Sequence, residues 1–433
     1  MPAFSHTESL SSSEQTSPES SRPSTPGGES QDGGSVYLES DDVVLVIGGL
    51  GFIGSHTSLE LLKAGYNVSI VDDLSNSFKV AFSRIRELAC KHHSSRGTKM
   101  PSLEMHTLDY RSRAMRNVLE QYEAPFRKTS ATEGQATGNI IGSRSRVSGV
   151  IHFAAFKSVS DSISRPVQYY QNNVCGLVGL VSLLEEHNIR NLVFSSSATV
   201  YGCKADRGRP LREGDLVHPE SLRVEDDGLE VTAESFTSLQ SPYARTKYFC
   251  EAILADIARS DPSWRITCLR YFNPVGCDSS GLLGEDPRGT PTNLFPVITQ
   301  VLTGERKELD IFGSDWETRD GTPVRDYVHV SDVARGHIAA LAAKVGEEPF
   351  RTINLGSGTG TTVVEAVRSL ERASNRSIPV KLAGRREGDV GSCVASNDRA
   401  CRELGWEAKE SVAQCAEDLW NFVSHFKPQV ESG

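Results

Sequence analysis

Short apolar runs alternate with helical patterns along most of the chain. The run Val43–Ile47 enters a glycine-rich segment, 48–54, and residues 55–65 then have the apolar spacing of a helix. A second apolar run covers residues 66–71, and a later one, 191–197, ends in three serines. Strands that alternate with helices in this way predict an α/β protein with a doubly wound parallel sheet and helices on both faces.

The glycine segment has the character of a tight turn between a strand and a helix. Gly48, Gly51 and Gly54 let the backbone adopt positive φ, and they let a pyrophosphate approach the amides at the helix N-terminus. Asp72 ends the second run, about 20 residues further on, where a carboxylate can hold a ribose 2′-hydroxyl and repel a 2′-phosphate. The pattern therefore predicts a dinucleotide site that prefers NAD to NADP.

Composition excludes several classes of partner. The 433 residues carry a formal charge of −10, which argues against nucleic acid or an anionic membrane as the main partner. No apolar run approaches the roughly 18 residues of a membrane span. The nine cysteines are dispersed without a C-x-x-C pair, which is typical of reduced thiols in a cytoplasmic protein. Because no His, Cys or Asp cluster has ligand spacing, we expect no metal.

Changes in composition suggest the domain boundaries. Residues 1–42 are rich in Ser, Pro and Gly and predict a disordered tail. Residues 43–272 form the predicted dinucleotide-binding domain, with inserted loops near 124–148 and 204–239. Residues 273–433, with shorter elements and more loops, predict a smaller α+β substrate-binding lobe. Whether this lobe returns one or two elements to the first domain is open.

Three residues form a candidate catalytic set. Tyr243 and Lys247 lie four residues apart at the start of a predicted helix, so both fall on one face. A neighbouring ammonium favours a phenolate, and Ser197 ends a strand with a hydroxyl. Together with NAD, this set can oxidise a secondary alcohol, with the proton passing to Tyr243 and the hydride to the nicotinamide. The Tyr-x-x-x-Lys spacing alone is common by chance. The pair is a catalytic candidate because it follows the glycine turn and the serines in that order along the chain.

Eight segments, taken together and in order, resemble the UDP-glucose 4-epimerases of the extended short-chain dehydrogenase/reductase family. The match runs from about residue 43 to 420, interrupted by the two insertions. It implies a Rossmann-type sheet, a bound NAD, a UDP-sugar substrate and a homodimer. The segments are 48–57, 150–155, 195–202, 241–247, 270–276, 284–287, 325–330 and 385–389.

The resemblance also implies roles for individual residues. Tyr243 would take the proton of the sugar 4-hydroxyl, Ser197 would hydrogen-bond O4, and Lys247 would hold the nicotinamide ribose. A 4-keto sugar would then rotate and regain its hydride on the other face. The implied cofactor-binding residues are Gly48, Gly51, Phe52, Ile53, Gly54, Asp72, Asn76, Ser77, Asp109, Tyr110, Phe153, Ala154, Lys157, Asn172, Tyr243, Lys247 and Phe272. The implied substrate-binding residues are Ser197, Asn273, Asn293, Leu294, Phe312, Arg325, Arg386, Asp389 and Cys393.

Cys393 departs from the pattern of relatives restricted to unsubstituted sugars, which tend to carry a bulky Tyr at the matching position. A smaller side chain leaves room for a 2-acetamido group. The resemblance therefore implies that UDP-N-acetylglucosamine and UDP-N-acetylgalactosamine are also interconverted.

Alternative functions remain open at this point. Another NAD-dependent sugar-nucleotide enzyme, such as a 4,6-dehydratase, a decarboxylase or a uronate epimerase, could use the same cofactor. Ala198 and Thr199 stand where a dehydratase needs acidic residues, which argues against that reaction. A non-catalytic NAD-sensing protein could share the fold, but such proteins usually lose the Tyr/Lys pair.

Overall fold

The computed structural model describes residues 41–126, 142–206, 208–216, 239–289, 291, 293–343, 348–386 and 389–426. The strands in these residues are β1 (Val43–Ile47), β2 (Asn67–Asp72), β3 (Leu103–Thr107), β4 (Glu123–Phe126), β5 (Gly142–Ser145), β6 (Val147–His152), β7 (Asn191–Ser197), β8 (Arg265–Tyr271), β9 (Asn273–Val275), β10 (Leu309–Phe312), β11 (Val324–His329), β12 (Phe350–Leu355), β13 (Gly360–Thr362), β14 (Val380–Ala383) and β15 (Ser392–Cys393).

The α-helices are α1 (Phe52–Lys63), α2 (Val80–Arg96), α3 (Ala114–Glu120), α4 (Val159–Ser164), α5 (Pro166–Tyr169), α6 (Gly176–Glu186), α7 (Pro242–Ser260), α8 (Leu294–Leu302), α9 (Val330–Ala342), α10 (Val363–Ser374), α11 (Asp398–Leu404) and α12 (Val412–Phe426). A π-helical turn, Tyr170–Cys175, joins α5 to α6. A 3-10 segment, Ala198–Asp206, follows β7.

The predicted parallel sheet is confirmed. Seven strands lie in the order β12-β8-β7-β6-β1-β2-β3, and every neighbouring pair is parallel. All five residues of β1 are buried, because this central strand is covered on both faces. The sheet therefore has the doubly wound form that the alternation of apolar runs predicts.

The register of the sheet gathers the predicted chemistry at one edge. Ile47 pairs with both Val71 and His152, so the glycine turn starts level with the ends of β2 and β6. Ser197 pairs with Tyr271 at the ends of β7 and β8. Ligands of open parallel sheets bind at the carboxyl ends of the strands, where these residues lie.

Several predicted elements have different bounds in the structure. The strand expected over 150–155 begins at Val147 and ends at His152, because the amides of Phe153 and Ala154 both donate to the carbonyl of Ile47.

The first predicted insertion is bounded by an antiparallel ladder between β4 and β5, and its middle, 127–141, lies outside the described residues. Most of the second, 217–238, also lies outside them.

The chain beyond residue 272 contributes to two regions. β12 joins the edge of the seven-stranded sheet beside β8, and α9 packs against α1. The smaller strands form two further ladders, one with β11 at its centre and one that pairs β10 with β14. Helices α8, α10 and α12 surround a separate apolar core. The domain boundaries drawn from the sequence stay a prediction.

The described helices have no segment with the length and apolar content needed to cross a membrane. The same residues contain no group of three or more His, Cys, Asp or Glu side chains that could hold a metal ion.

A fully buried ion pair connects α7 to the sheet. Arg270 of β8 and Glu251 of α7 are both inaccessible to solvent, and Arg270 Nη2 lies 2.7 Å from Glu251 Oε2. Ser196 Oγ of β7 donates to Glu251, and Arg270 Nη1 donates to the hydroxyl of Tyr201 at 3.1 Å. Arg270 Nη2 also donates to the carbonyl of Leu216 at 3.1 Å. This network joins β7, β8 and α7 beneath the carboxyl edge of the sheet.

We expect Arg270→Met to lower the free energy of unfolding by about 3–5 kcal/mol, since it leaves the Glu251 carboxylate buried without its charged partner. Chemical denaturation followed by circular dichroism measures the change. Arg259→Met, on the same helix, removes an exposed pair whose atoms lie 3.7 Å apart, and it should cost no more than about 1 kcal/mol. Equal losses for the two variants would contradict this account of the buried pair.

Candidate active site

The glycine turn after β1 is shaped by two close backbone approaches. Gly48 has φ +78°, and a Cβ added there would lie 2.7 Å from the amide nitrogen of Ala154. A Cβ at Gly54 would lie 2.2 Å from the carbonyl oxygen of Gly48. Only glycine fits these two positions without moving the turn. Phe52 and Ile53 begin α1 directly after Gly51, so the amides of the first helical turn face the carboxyl edge of the sheet.

Asp72 closes this turn from the end of β2. Its carboxylate is buried and accepts from the amide of Leu50 at 2.9 Å and from the amide of Leu74 at 3.0 Å. Ser77 Oγ donates to it at 2.7 Å. Leu74 has φ +60°, a strained value for a residue with a side chain. The structure thus gives Asp72 a role in shaping the turn, and its predicted contact with a ribose stays a prediction.

The predicted residues after β3 lie beside the same edge. The carboxylate of Asp109 pairs with the guanidinium of Arg111 at 2.7 Å, and the hydrogen bond from Arg111 holds the pKa of Asp109 below its ordinary value. The Tyr110 hydroxyl donates to the carbonyl of Asn172 at 2.8 Å, which places these two predicted residues in contact.

The segment after β6 supplies both buried and exposed groups. The ring of Phe153 lies 4.7 Å from the ring of His337 on α9. Asn172 donates from Nδ2 to Asn173 Oδ1 at 2.9 Å. The Lys157 side chain is about half exposed, and its Nζ lies 2.9 Å from Oε1 of Glu285, in the chain beyond β9. Two of the predicted cofactor residues that follow β6, Phe153 and Lys157, therefore contact later parts of the chain.

Helix α7 places the three candidate catalytic residues together. Its N-terminus is fixed by Ser241, whose hydroxyl accepts from the amide of Ala244 at 3.1 Å. The Ser197 hydroxyl lies beside the Tyr243 phenol and acts to lower its pKa. Ser197 Oγ also accepts from the Thr199 hydroxyl at 3.0 Å. Lys247 is buried one turn further along α7 and donates to the carbonyl of Ser195 at 2.6 Å.

Burial governs the proton affinities in this set. It raises the pKa of Tyr243 to about 12, although the neighbouring Ser197 hydroxyl opposes the rise. Burial also lowers the pKa of Lys247 to about 8. The sequence predicts that the Lys247 ammonium makes the phenol more acidic, whereas in the structure burial has the larger effect and the phenol is less acidic than usual.

Several predicted sugar-binding residues form one cluster. Arg325 and Asp389 make an ion pair, and Arg325 lies directly across the β11–β15 ladder from Cys393. The guanidinium of Arg386 lies 3.7 Å from the ring centre of Phe312 at the end of β10. An arginine stacked on an aromatic ring and a second arginine beside it are suited to a base and a diphosphate.

The remaining predicted substrate residues lie on several different elements. Asn273 Nδ2 donates to the carbonyl of Asp326 at 2.9 Å, which ties β9 to β11. Asn293 is exposed at the start of α8, and its side chain makes no capping hydrogen bond. Leu294 packs against the core of the smaller lobe, and Phe272 packs in the apolar cluster that Cys393 borders. Among the described residues, no hydrogen bond joins Asn293 to these arginines.

Some residues at the site escape sequence reasoning. The Tyr271 hydroxyl is hydrogen-bonded to His337 Nε2 and lies beside Ser195, next to the catalytic set. Glu285 and Arg288 come from the chain beyond β9. They bond Lys157 after β6 and the carbonyl of Leu74 after β2, on either side of the glycine turn. Segment 284–287 carries part of the family resemblance, but its spacing does not indicate where in the fold it lies.

Comparison with known proteins places this geometry in a family. The model of the NAD dependent epimerase/dehydratase family matches residues 44–356. The chain is 42% identical over 386 residues to UDP-glucose 4-epimerase 2 of Arabidopsis thaliana, covering 88% of this chain and 95% of that protein. It is 38% identical over 385 residues to the UDP-glucose 4-epimerase of Mus musculus, covering 88% and 96%.

A solved structure shows the same fold. UDP-glucose 4-epimerase from Bifidobacterium longum, crystallised in complex with NAD+ and UDP, superposes with a TM-score of 0.72 and 36% sequence identity. The superposition covers 89% of this chain and 98% of that one. The chain therefore belongs to the NAD-dependent epimerase/dehydratase family.

Proposed function

We propose that the protein is a UDP-glucose 4-epimerase, which uses NAD to interconvert UDP-glucose and UDP-galactose through a 4-keto sugar. The proposal depends on one observation: Tyr243 lies beside Ser197, and Lys247 follows one helical turn later, at the sheet edge that also bears the glycine turn. The relatives and the structural neighbour described above support this assignment over other reactions of the family.

The residues present suit NAD. Glycine at positions 48 and 54 keeps the turn open at the start of α1, where helix amides favour a pyrophosphate. The Asp72 carboxylate at the end of β2 would lie unfavourably close to a 2′-phosphate. Bound NAD supplies a positively charged ring that accepts a hydride from the sugar and returns it.

The protein's own residues manage the proton. Ser197 Oγ, which accepts from Thr199 and lies beside the Tyr243 phenol, would orient the sugar O4 toward the phenol. Tyr243 would accept the O4 proton and return it after the ketose has turned over. Because burial disfavours the phenolate, a positive neighbour is needed near neutral pH. Lys247, charged below about pH 8, supplies one such charge.

A 4,6-dehydratase fits the site less well. Elimination of water from a 4-keto sugar needs an acid and a base near C5 and C6. The residues that directly follow Ser197 are Ala198, which is buried and apolar, and Thr199, whose hydroxyl donates to Ser197. Neither side chain titrates in the required range, which favours epimerisation.

The decisive assay incubates purified protein with UDP-galactose, without added NAD, and detects UDP-glucose by chromatography. We expect conversion by the wild type. Tyr243→Phe should reduce turnover by at least about a hundredfold, because it removes the proton acceptor, while the variant should still copurify with NAD. Folded, NAD-loaded wild type that converts no UDP-galactose would refute the epimerase assignment, and wild-type turnover by Tyr243→Phe would remove Tyr243 from the mechanism.

We also propose activity on UDP-N-acetylglucosamine and UDP-N-acetylgalactosamine. Cys393 is half-buried, lies opposite Arg325 in the ladder and borders the apolar cluster that contains Phe272. A thiol occupies much less volume than a phenol at this position. The small side chain supports a pocket that accepts a 2-acetamido group.

We expect Cys393→Tyr to retain turnover of UDP-galactose and to lose most turnover of UDP-N-acetylgalactosamine, because the larger side chain would take the space of the acetamido group. Steady-state kinetics with both sugars measure the ratio. Cys393→Ser, of matched size, is the control and should convert both. A wild type inactive on the acetamido sugar would contradict the proposal.

We further propose that the protein is a homodimer. Helices α4 and α5 pack against α7 and expose an apolar patch formed by Val159, Ile163, Val167 and Phe249. Ile163 is 63% exposed and Val167 is 65% exposed, which is unusual for clustered aliphatic side chains. A second copy of the same surface would cover these residues by two-fold symmetry.

We expect the double change Ile163→Lys and Val167→Lys to produce monomers, because two charges would have to be buried in the interface. Light scattering coupled to size-exclusion chromatography measures the mass. Val380→Lys, at a similarly exposed aliphatic position on β14, is the control and should leave the mass unchanged. A monomeric wild type would contradict the proposal.

A cytoplasmic location is also proposed. The eight cysteines with described side chains are all free thiols, which suits a reducing compartment. Fractionation of cells that express the tagged protein would test this, and recovery in a secreted or membrane fraction would contradict it.

A further inference from the structure

A short segment from the middle of the chain crosses the glycine turn. We call residues 284–288 the strap. They lie between β9 and α8 and have no regular secondary structure, yet they are held at both ends by elements from the first part of the sheet.

The first attachment is an ion pair on the β6 side. Glu285 Oε1 accepts from Lys157 Nζ at 2.9 Å. The Glu285 side chain is 12% exposed and the Lys157 side chain 51% exposed, so the carboxylate is largely shielded while the lysine stem is partly solvated. Lys157 belongs to the segment that follows β6.

The second attachment lies on the β2 side. Arg288 Nε donates to the carbonyl of Leu74 at 2.9 Å and to the carbonyl of Ser77 at 3.0 Å. The amide of Arg288 donates to Asn76 Oδ1 at 3.3 Å, and its guanidinium lies 4.3 Å from the ring centre of Phe78. All four partners belong to the loop that follows β2.

The sheet order fixes what lies beneath the strap. β1 is the strand between β6 and β2, so a segment tied to the loops after both strands must cross the end of β1. Two strand spacings amount to roughly 10 Å, which is about the reach of the three residue steps from Glu285 to Arg288. The cavity below is lined by Gly51, Phe52 and Ser55 on one side and by Gly284, Glu285 and Pro287 on the other.

We infer that the strap retains the dinucleotide, with Glu285 and Arg288 as the positioning residues that hold it closed. This inference rests on the proposed NAD site. A pyrophosphate at the N-terminus of α1 would lie under the strap, so the cofactor leaves only when an attachment opens. An enzyme that returns its hydride to the same sugar benefits from a cofactor that stays bound between turnovers.

The test measures cofactor exchange in the holoenzyme. Protein loaded with unlabelled NAD is mixed with an excess of deuterium-labelled NAD, and the bound label is followed by mass spectrometry. Arg288→Ala should exchange about tenfold faster than wild type, since a charged donor to two carbonyls is lost. Glu285→Gln should also exchange faster, because it removes the charge of the other attachment.

Arg319→Ala is the matched control. Arg319 is also exposed and donates to Glu365 and to the carbonyl of Gly360, far along the chain from the strap, so exchange should stay within about twofold of wild type. Wild-type exchange rates in both strap variants would overturn the inference, as would equal acceleration in all three. Thermal melts identify a variant that is simply unfolded, and Arg288→Lys then replaces Arg288→Ala.

The experiments separate a wrong epimerase assignment from a wrong role for the strap. If wild-type protein holds NAD but does not epimerise UDP-galactose, the strap variants still report on retention, and faster exchange supports the inference. If wild-type protein binds no NAD, the inference falls together with the cofactor assignment.

Discussion

The buried ion pair between Arg270 and Glu251 is the contact on which the geometry of the active site depends. Tyr243, Lys247 and Glu251 are spaced four residues apart and therefore share one face of α7. That face meets the three serines that end β7: Tyr243 lies beside Ser197, Lys247 donates to the carbonyl of Ser195, and Glu251 accepts from Ser196. Arg270 of β8 forms an ion pair with Glu251. Together these contacts fix the rotation of α7 about its axis and its position along that axis.

The same burial that orders the site also sets its chemistry. Tyr243 and Lys247 are both shielded from water, which disfavours the charged form of each. A phenol with a raised pKa is a strong base once it has lost its proton, and it holds that proton firmly between transfers. A positive charge next to the phenol therefore lowers the free-energy cost of forming the phenolate. Lys247 lies where it can supply part of that charge.

Sequence reasoning captures what is local in this fold. A buried strand such as β1 is a continuous apolar run, and the shared face of Tyr243 and Lys247 follows from helical periodicity. Glycine at 48 and 54 is explained by backbone approaches that recur in strand–turn–helix units. The carboxyl edge of a parallel sheet then brings these parts together without further information.

Long-range contacts are what the sequence does not reveal. Nothing in the spacing of Arg270 and Glu251 shows that the two charges meet in the core, and apolar periodicity alone does not place β12 beside β8. The strap is a further example, since Arg288 bonds carbonyls more than two hundred positions earlier. Asp72 is another case. Its position in the sequence predicts a contact with a ribose, but the hydrogen bonds that it accepts from the amides of Leu50 and Leu74 are visible only in the folded structure.

In the proposed reaction, one hydride leaves the sugar C4 and returns to the same carbon within a closed site. Incubating the enzyme with UDP-galactose carrying deuterium at C4, in ordinary water, tests it directly. We expect the UDP-glucose formed to retain the deuterium at C4. Replacement of that deuterium by hydrogen from water would contradict it.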